Sequence, residues 1–140
     1  MEYHTMLYIN TIARCANLYH DGALQSAGLS SYQSAYIPII CTHPGITQDQ
    51  IARQLHVNRS SVTRQLTSLE ENGFVIRRRS TDDRRAVEVY PTDKAQAVLP
   101  AVREARRKWR SLLLEDVTDA EREALDHLLA RLADRAVSLV

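Results

Sequence analysis

The sequence contains only two cysteines, Cys15 and Cys41, among 140 residues. Two cysteines make no disulfide scaffold, and neither stands at metal-ligand spacing from another cysteine or histidine. No stretch approaches the roughly 18 consecutive apolar residues of a membrane span. Met1 to Asn10 carries no Lys or Arg ahead of an apolar run, so no signal-peptide pattern is present. A cytoplasmic protein is expected. No Ser-His-Asp set and no glutamate-metal arrangement has a defensible spacing. Neither catalytic residues, nor a metal site, nor a cofactor is therefore expected, and an enzyme is not.

What is present fits an ordinary folded chain. Apolar residues make up 44% and charged residues 25%, enough for one hydrophobic core at this length. The formal net charge is only +1, but its distribution is uneven. Arg53 to Arg85 holds eight arginines against four acids, a net +4. Glu115 to the end holds seven acids against three arginines, a net −4. The middle has the composition of an anion-binding module and the end does not.

Periodicity predicts a helix over Tyr3–Tyr19, broken after it by Asp21-Gly22 and Gly28. A second helix should start at Ser30, with Ser30 and Gln33 as a capping box, and run over Tyr32–Cys41 with a kink at Pro38 before Pro44-Gly45 ends it. Thr47 and Gln50 make another capping box for a third helix reaching Leu55. Asn58 is a suitable N-cap for a fourth, ending at Asn72-Gly73. Two strands follow, Phe74–Arg79 and Arg85–Tyr90, with Ser80–Arg84 as the tip and Pro91 as the stop. Thr92-Asp93 opens a long fifth helix to about Glu115, which Pro100 should bend. A Thr118/Glu121 box opens a sixth, with Leu125, Leu128, Leu129, Leu132, Ala136 and Leu139 on one face.

Two short helices joined by a tight turn, followed by a basic hairpin, form a unit that can present its second helix to the major groove of double-stranded DNA. At about 100° per residue, Val62, Leu66 and Leu69 share one side of that helix. Ser60, Arg64, Thr67, Ser68 and Glu71 lie opposite, and Ser61 and Thr63 join the DNA-facing set. Hydroxyls suit phosphates or base edges, and Arg64 suits the O6/N7 edge of guanine. Arg59, beside free helix N–H groups, favours a phosphate. Arg77, Arg78 and Arg79 alternate along a strand, with Arg77 and Arg79 the candidates to face the DNA backbone. Arg84 at the hairpin tip suits the narrow minor groove.

The stretch from Leu66 to Thr92 carries a specific combination. It contains Leu-Glu-x-x-Gly-Phe-Val-x-Arg, then Asp82-Asp83-Arg84-Arg85-Ala86-Val87, then Thr92. In this it resembles the MarR family of winged helix-turn-helix transcriptional regulators, and the resemblance covers nearly the whole chain. It implies a mainly α fold with a small β-hairpin wing and terminal helices forming a dimerisation region. The organisation expected is an N-terminal helix in residues 1–30, a winged helix-turn-helix in 31–91, and a C-terminal helical region in 92–140. It further implies that Asp83 and Arg85 brace the wing while Arg84 enters the minor groove. A homodimer built by the first, fifth and sixth helices is implied, regulated by a small aromatic or anionic effector or by oxidation. The sequence departs from the family where Ala95 replaces a frequent glycine, and where Pro38 and Pro100 interrupt helices.

The function expected is that of a ligand-responsive repressor binding a palindromic operator. Alternatives are an architectural, nucleoid-associated DNA binder, a winged module that has lost DNA contact, and a redox sensor acting through Cys15. A cysteine inside a helix is more often a small buried hydrophobe than a sensor. His20, Tyr36 and Trp109 are candidates to line an effector pocket, against the simpler reading that each only packs or sits at the surface.

Overall fold

The computed structural model describes residues 3–140; Met1 and Glu2, which the expected first segment includes, lie outside the described residues. The elements, in chain order, are α1 (Thr5–Leu24), a 3-10 turn (Gln25–Ala27), α2 (Ser31–Ser34), α3 (Tyr36–Thr42), β1 (Ile46–Thr47), α4 (Gln48–Leu55), α5 (Arg59–Glu71), β2 (Val75–Arg79), β3 (Val87–Pro91), α6 (Asp93–Leu113) and α7 (Asp119–Ser138). The fold is mainly helical with a small antiparallel wing, as expected.

The chain forms two compact units, Met1–Arg107 and Lys108–Val140. The core of the first unit is one cluster that includes Leu24, Tyr36, Ile37, Ile40, Ile51, Val62, Leu66, Leu69, Phe74, Val89, Ala95 and Val102. It draws residues from both sides of the boundaries expected at 30/31 and 91/92. Ala95 is fully buried, so the methyl group at the position where relatives often carry glycine is part of this packing.

The capping signals are realised. Ser30, Thr47 and Thr118 each close a reciprocal capping box, with Gln33, Gln50 and Glu121 respectively. The Asn58 side chain accepts from the Ser61 amide at 2.8 Å. At the far end of α5, Gly73 adopts φ +79°, with its amide donating to the Glu70 carbonyl and the Phe74 amide to the Leu69 carbonyl. That double closure is the Schellman motif, and its left-handed residue favours glycine.

Three local expectations need correction. The first helix continues through Asp21-Gly22 to Leu24. An interior glycine costs only about 1 kcal/mol, and here Asp21 accepts a 2.6 Å bond from the Ser31 amide while Leu24 is buried in the core. The second helix is interrupted at Ala35, three residues before Pro38. Proline lacks an N–H and its ring crowds the carbonyl four residues back, so the damage falls at Ser34 and Ala35. Pro100, by contrast, sits inside an unbroken α6, where Leu99 and Val102 beside it are both buried. Finally, β1 was not foreseen. Its two residues pair with β3, Ile46 with Val89 and Thr47 with Glu88, completing a sheet of order β1-β3-β2. Gly45, at φ +90°, makes the approach possible, since a Cβ there would meet the Tyr90 hydroxyl at 3.3 Å.

Candidate nucleic-acid interface

The second helix of the pair, α5, is held from behind by Val62, Leu66 and Leu69, each at most 1% exposed. Burial on that side fixes which residues point outward. Arg59, Ser60, Thr63 and Arg64 are exposed, whereas Ser61, Thr67 and Ser68 are half-buried. The Ser60 hydroxyl donates to the Asn58 side chain at 2.8 Å, and Arg64 reaches the Ser61 hydroxyl only loosely, at 3.5 Å. Thr63 and Thr67 donate their hydroxyl protons back to carbonyls one turn earlier, at 3.0 and 2.8 Å. Their oxygens are left as acceptors, that of Thr63 toward the Gln48 amide at 3.4 Å and that of Thr67 toward the Arg77 guanidinium at 3.2 Å. Arg59, at the first position of α5, forms an exposed ion pair with Asp49 of α4 at 3.1 Å.

Ser68 differs from the expectation. Its hydroxyl accepts from Gln33 at 2.8 Å and lies 3.5 Å from Asn72. It thus ties α5 to Gln33, the partner of Ser30 in the capping box of α2, because Ser68, eight residues after Ser60, drifts off the outer face as the helix turns.

The three arginines of β2 have three different fates. Arg77 is turned inward and engaged by Glu70, Thr67 and Gln48, contrary to the expectation that it faces the DNA backbone. The Glu70 carboxyl is held below the ordinary glutamate range, chiefly by its hydrogen bond from the Arg77 side chain. Arg78 lies over the Tyr90 ring at 4.7 Å. Arg79 is exposed.

At the hairpin tip, Arg84 and Arg85 are both exposed. The tip is organised by short-range bonds. The Ser80 hydroxyl accepts from the Asp82 and Asp83 amides at 3.2 and 3.3 Å. The Asp83 carboxylate accepts from the Arg85 backbone amide at 3.0 Å, and the Ala86 amide donates to the Asp83 carbonyl at 2.9 Å. The brace expected from Asp83 and Arg85 is therefore made by the Arg85 backbone. No ion pair joins their side chains among the described residues. An aspartate reaches the amide two residues on more readily than it holds a long exposed guanidinium. At the base of the wing, the Thr92 hydroxyl donates to the Gly73 and Phe74 carbonyls at 2.6 and 3.0 Å. Lys94 donates to the Asn72 carbonyl at 2.6 Å and lies over the Phe74 ring, a favourable cation at the C-terminal end of α5.

This pairing of a capped helix-turn-helix with a basic wing is matched by known proteins. The MarR family model matches residues 29–87. An uncharacterized HTH-type transcriptional regulator, YwoH of Bacillus subtilis (strain 168), is 33% identical over 125 residues, covering 89% of this chain and 90% of that protein. The chain belongs to the MarR family. The crystal structure of MarR superposes with a TM-score of 0.81 at 29% identity, covering 99% of this chain and 93% of that one. A putative MarR family regulator from Listeria monocytogenes, solved with a 26mer DNA, gives 0.88 at 24% identity over 96% of this chain and 89% of that one, which shows the shared fold.

As a MarR-family winged helix-turn-helix protein, the chain is a DNA-binding transcriptional regulator and not an enzyme. Among the described residues, no helix is long and apolar enough to cross a membrane, and no group of three His, Cys, Asp or Glu side chains is placed to hold a metal ion. The candidate effector residues are distributed over both units. Tyr36 is buried in the first unit, its hydroxyl pKa pushed up by that burial against the opposing pull of the Arg64 guanidinium. His20 is half-buried and packs edge-on against Tyr19. Trp109 belongs to the second unit and is half-buried there. The Cys15 thiol is exposed, unlike the buried hydrophobe that a helix-interior cysteine usually is, while Cys41 is half-buried with its pKa pushed up by burial against the opposing pull of Arg103.

Sequence reasoning overlooked Gln48. It stands at the first position of α4, and its side chain reaches both Thr63 of α5 and Arg77 of β2. The available signal was its place directly after the Thr47 cap, at the first position of α4. A single glutamine in a capping sequence is not otherwise distinctive.

Proposed function

We propose that this protein is a homodimeric repressor that binds an inverted-repeat operator and releases it in response to a small aromatic or anionic effector. The observation that carries the DNA part is the outer face of α5. Arg59, Ser60, Thr63 and Arg64 are exposed there, on the side opposite a fully buried Val62, Leu66 and Leu69. Ser61 and Thr67 flank this face. Arg79 and Arg84 extend the cationic surface along the wing. Arg64 reads a base edge, Arg59 and Arg79 meet phosphates, and Arg84 enters the minor groove. Repression is the simpler outcome, because occupancy alone blocks a promoter.

The dimer is supported by apolar surface left open on the terminal helices. Leu128, Leu129 and Leu132 are 41–52% exposed in the single chain, as are Leu7, Tyr8 and Ile12 of α1 at 47–60%. A two-fold pair of winged units matches an inverted repeat with half-sites about one turn apart, roughly 34–36 Å. The effector response rests on family resemblance, with His20, Tyr36 and Trp109 as its candidate residues.

Selection of bound sites from random duplex DNA, followed by titration against salt, tests this reading. The expected result is an inverted repeat whose affinity greatly exceeds that for random duplex. Binding that is indifferent to sequence would make the protein an architectural DNA binder instead, and no duplex binding at low salt would reject the DNA interface.

A further inference from the structure

Arg77 stands in the basic wing yet has almost no freedom to reach a ligand. Its guanidinium Nη2 donates to Thr67 at 3.2 Å and to Glu70 Oε1 at 3.3 Å, its Nη1 donates to Gln48 Oε1 at 3.4 Å, and its Nε lies 3.5 Å from Glu70 Oε2. A guanidinium carries five N–H donors in a rigid fork, so little donor capacity remains for a phosphate. Only 20% of the side chain is exposed. The three partners belong to different places: Gln48 opens α4, while Thr67 and Glu70 sit on α5.

The chemistry of the partners settles their orientation. Arginine has no acceptor, so Gln48 must turn its carbonyl oxygen to Arg77. That leaves the Gln48 amide nitrogen toward Thr63 on the outer part of α5, at 3.4 Å. The Thr67 hydroxyl spends its proton on the Thr63 carbonyl and therefore receives Arg77 as an acceptor. Glu70 also caps the Arg77 backbone amide at 2.9 Å, on the edge strand of the sheet.

We propose that Arg77 is a positioning residue that locks the wing to α4 and α5, setting where Arg64 and Arg84 fall relative to each other, and that it does not itself touch DNA. The proposal rests on the DNA-binding reading of the same face. The contrast with its neighbours supports it, since Arg79 is exposed and Arg78 only stacks on Tyr90. Replacing the side chain leaves the Glu70 bond to the backbone amide in place, so the strand keeps its attachment to α5.

The test uses the full-length protein as Arg77→Ala, Arg77→Lys, Gln48→Ala and the Arg77→Ala/Gln48→Ala double variant. Affinity for a selected duplex is followed across salt concentrations, and amide hydrogen exchange is followed without DNA. Arg77→Ala should weaken binding about tenfold with the salt slope unchanged, because no phosphate contact is lost. Lysine should not rescue it, since a point-like ammonium cannot serve three acceptors on two helices at once. Exchange over Val75–Pro91 should quicken in both variants, and Gln48→Ala should add little on top of Arg77→Ala. A salt slope lower by about one, or rescue by lysine, would make Arg77 a phosphate contact and overturn the proposal. Unchanged exchange in the wing would overturn it equally. If Arg77→Ala does not fold, Arg77→Lys and Gln48→Ala decide by the same measurements. Should the wild type bind no duplex at all, the DNA reading falls, and hydrogen exchange alone still decides whether Arg77 holds the wing.

Discussion

The lobe around α5 and the final helix α7 solve opposite halves of the same physical problem. In the lobe, the inward apolar residues find their cover within the chain: Val62, Leu66, Leu69, Phe74 and Val89 are at most 1% exposed. In α7 no residue is buried, although Leu125, Leu128, Leu129 and Leu132 share a face. Both helices have a well-made N-terminus, with a side-chain oxygen accepting from the first-turn amide. Capping therefore does not distinguish them. What differs is where the hydrophobic free energy is collected, inside one chain for α5 and against a second copy for α7 in the function proposed above.

That contrast is sharpest in how stability depends on protein concentration. Truncating Leu66 to alanine removes a fully buried side chain and should destabilise by about 2–5 kcal/mol. Placing glutamates at both Leu129 and Leu132 introduces two charges into a surface that must be desolvated on association. The paired substitution should convert a dimer to a monomer in sedimentation equilibrium at micromolar concentration. It should also abolish the concentration dependence of the thermal midpoint that an associating wild type shows. Leu66→Ala should lower the midpoint and keep the dimer. A wild type already monomeric at that concentration would remove the basis for this contrast.

The same contrast explains what was legible in the sequence. Caps, staples and turns are local, and Ser30, Thr47, Asn58 and Thr118 all perform as their neighbours indicate. The inward face of α5 was legible because its apolar period is regular. What escaped depends on partners distant in the chain. β1 is two residues long and exists only because β3 arrives beside it, more than forty positions later. Arg77 is held by Thr67 and Glu70 and also by Gln48, twenty-nine positions earlier, and the Leu-Glu-x-x-Gly-Phe-Val-x-Arg run that ends on it gives no direction for its side chain. Gly22 misled in the other direction. It is a breaker by propensity, and it is overridden where Leu24, two residues on, packs into the core.

Within the lobe, a smaller effect separates reading from gripping. Arg64 is exposed and only weakly tethered to Ser61, so it is free to meet a base edge. Arg64→Ala should cost about 1–3 kcal/mol on the selected operator and much less on random duplex. Equal losses on both, measured by titration at matched salt, would show that Arg64 meets only phosphate. Arg59 offers the internal comparison. It sits at the helix start in an ion pair with Asp49, and its replacement by alanine should weaken both duplexes alike.

The smallest effects are expected at the wing tip, where neighbouring charges should fail for different reasons. Arg84 makes no ion pair among the described residues and stands exposed at the tip. Arg84→Ala should leave the thermal midpoint unchanged and lower the salt slope of binding by up to about one. Asp83 is different, because its carboxylate holds the Arg85 backbone amide at 3.0 Å. Losing that bond should loosen the turn by about 0.5–1.5 kcal/mol, with weaker DNA binding as a consequence of a displaced tip. The Arg85 side chain takes no part in that bond. Arg85→Ala should keep the turn, and any loss of affinity it brings is electrostatic. The two substitutions should then be additive to within about 0.3–0.5 kcal/mol in a double-mutant cycle followed by DNA titration and thermal melts. A side-chain ion pair would give the opposite result, with the second substitution costing little once the first is made. Strong non-additivity would thus show that Arg85 swings onto Asp83 when DNA is bound, and that the backbone turn is only half of the brace.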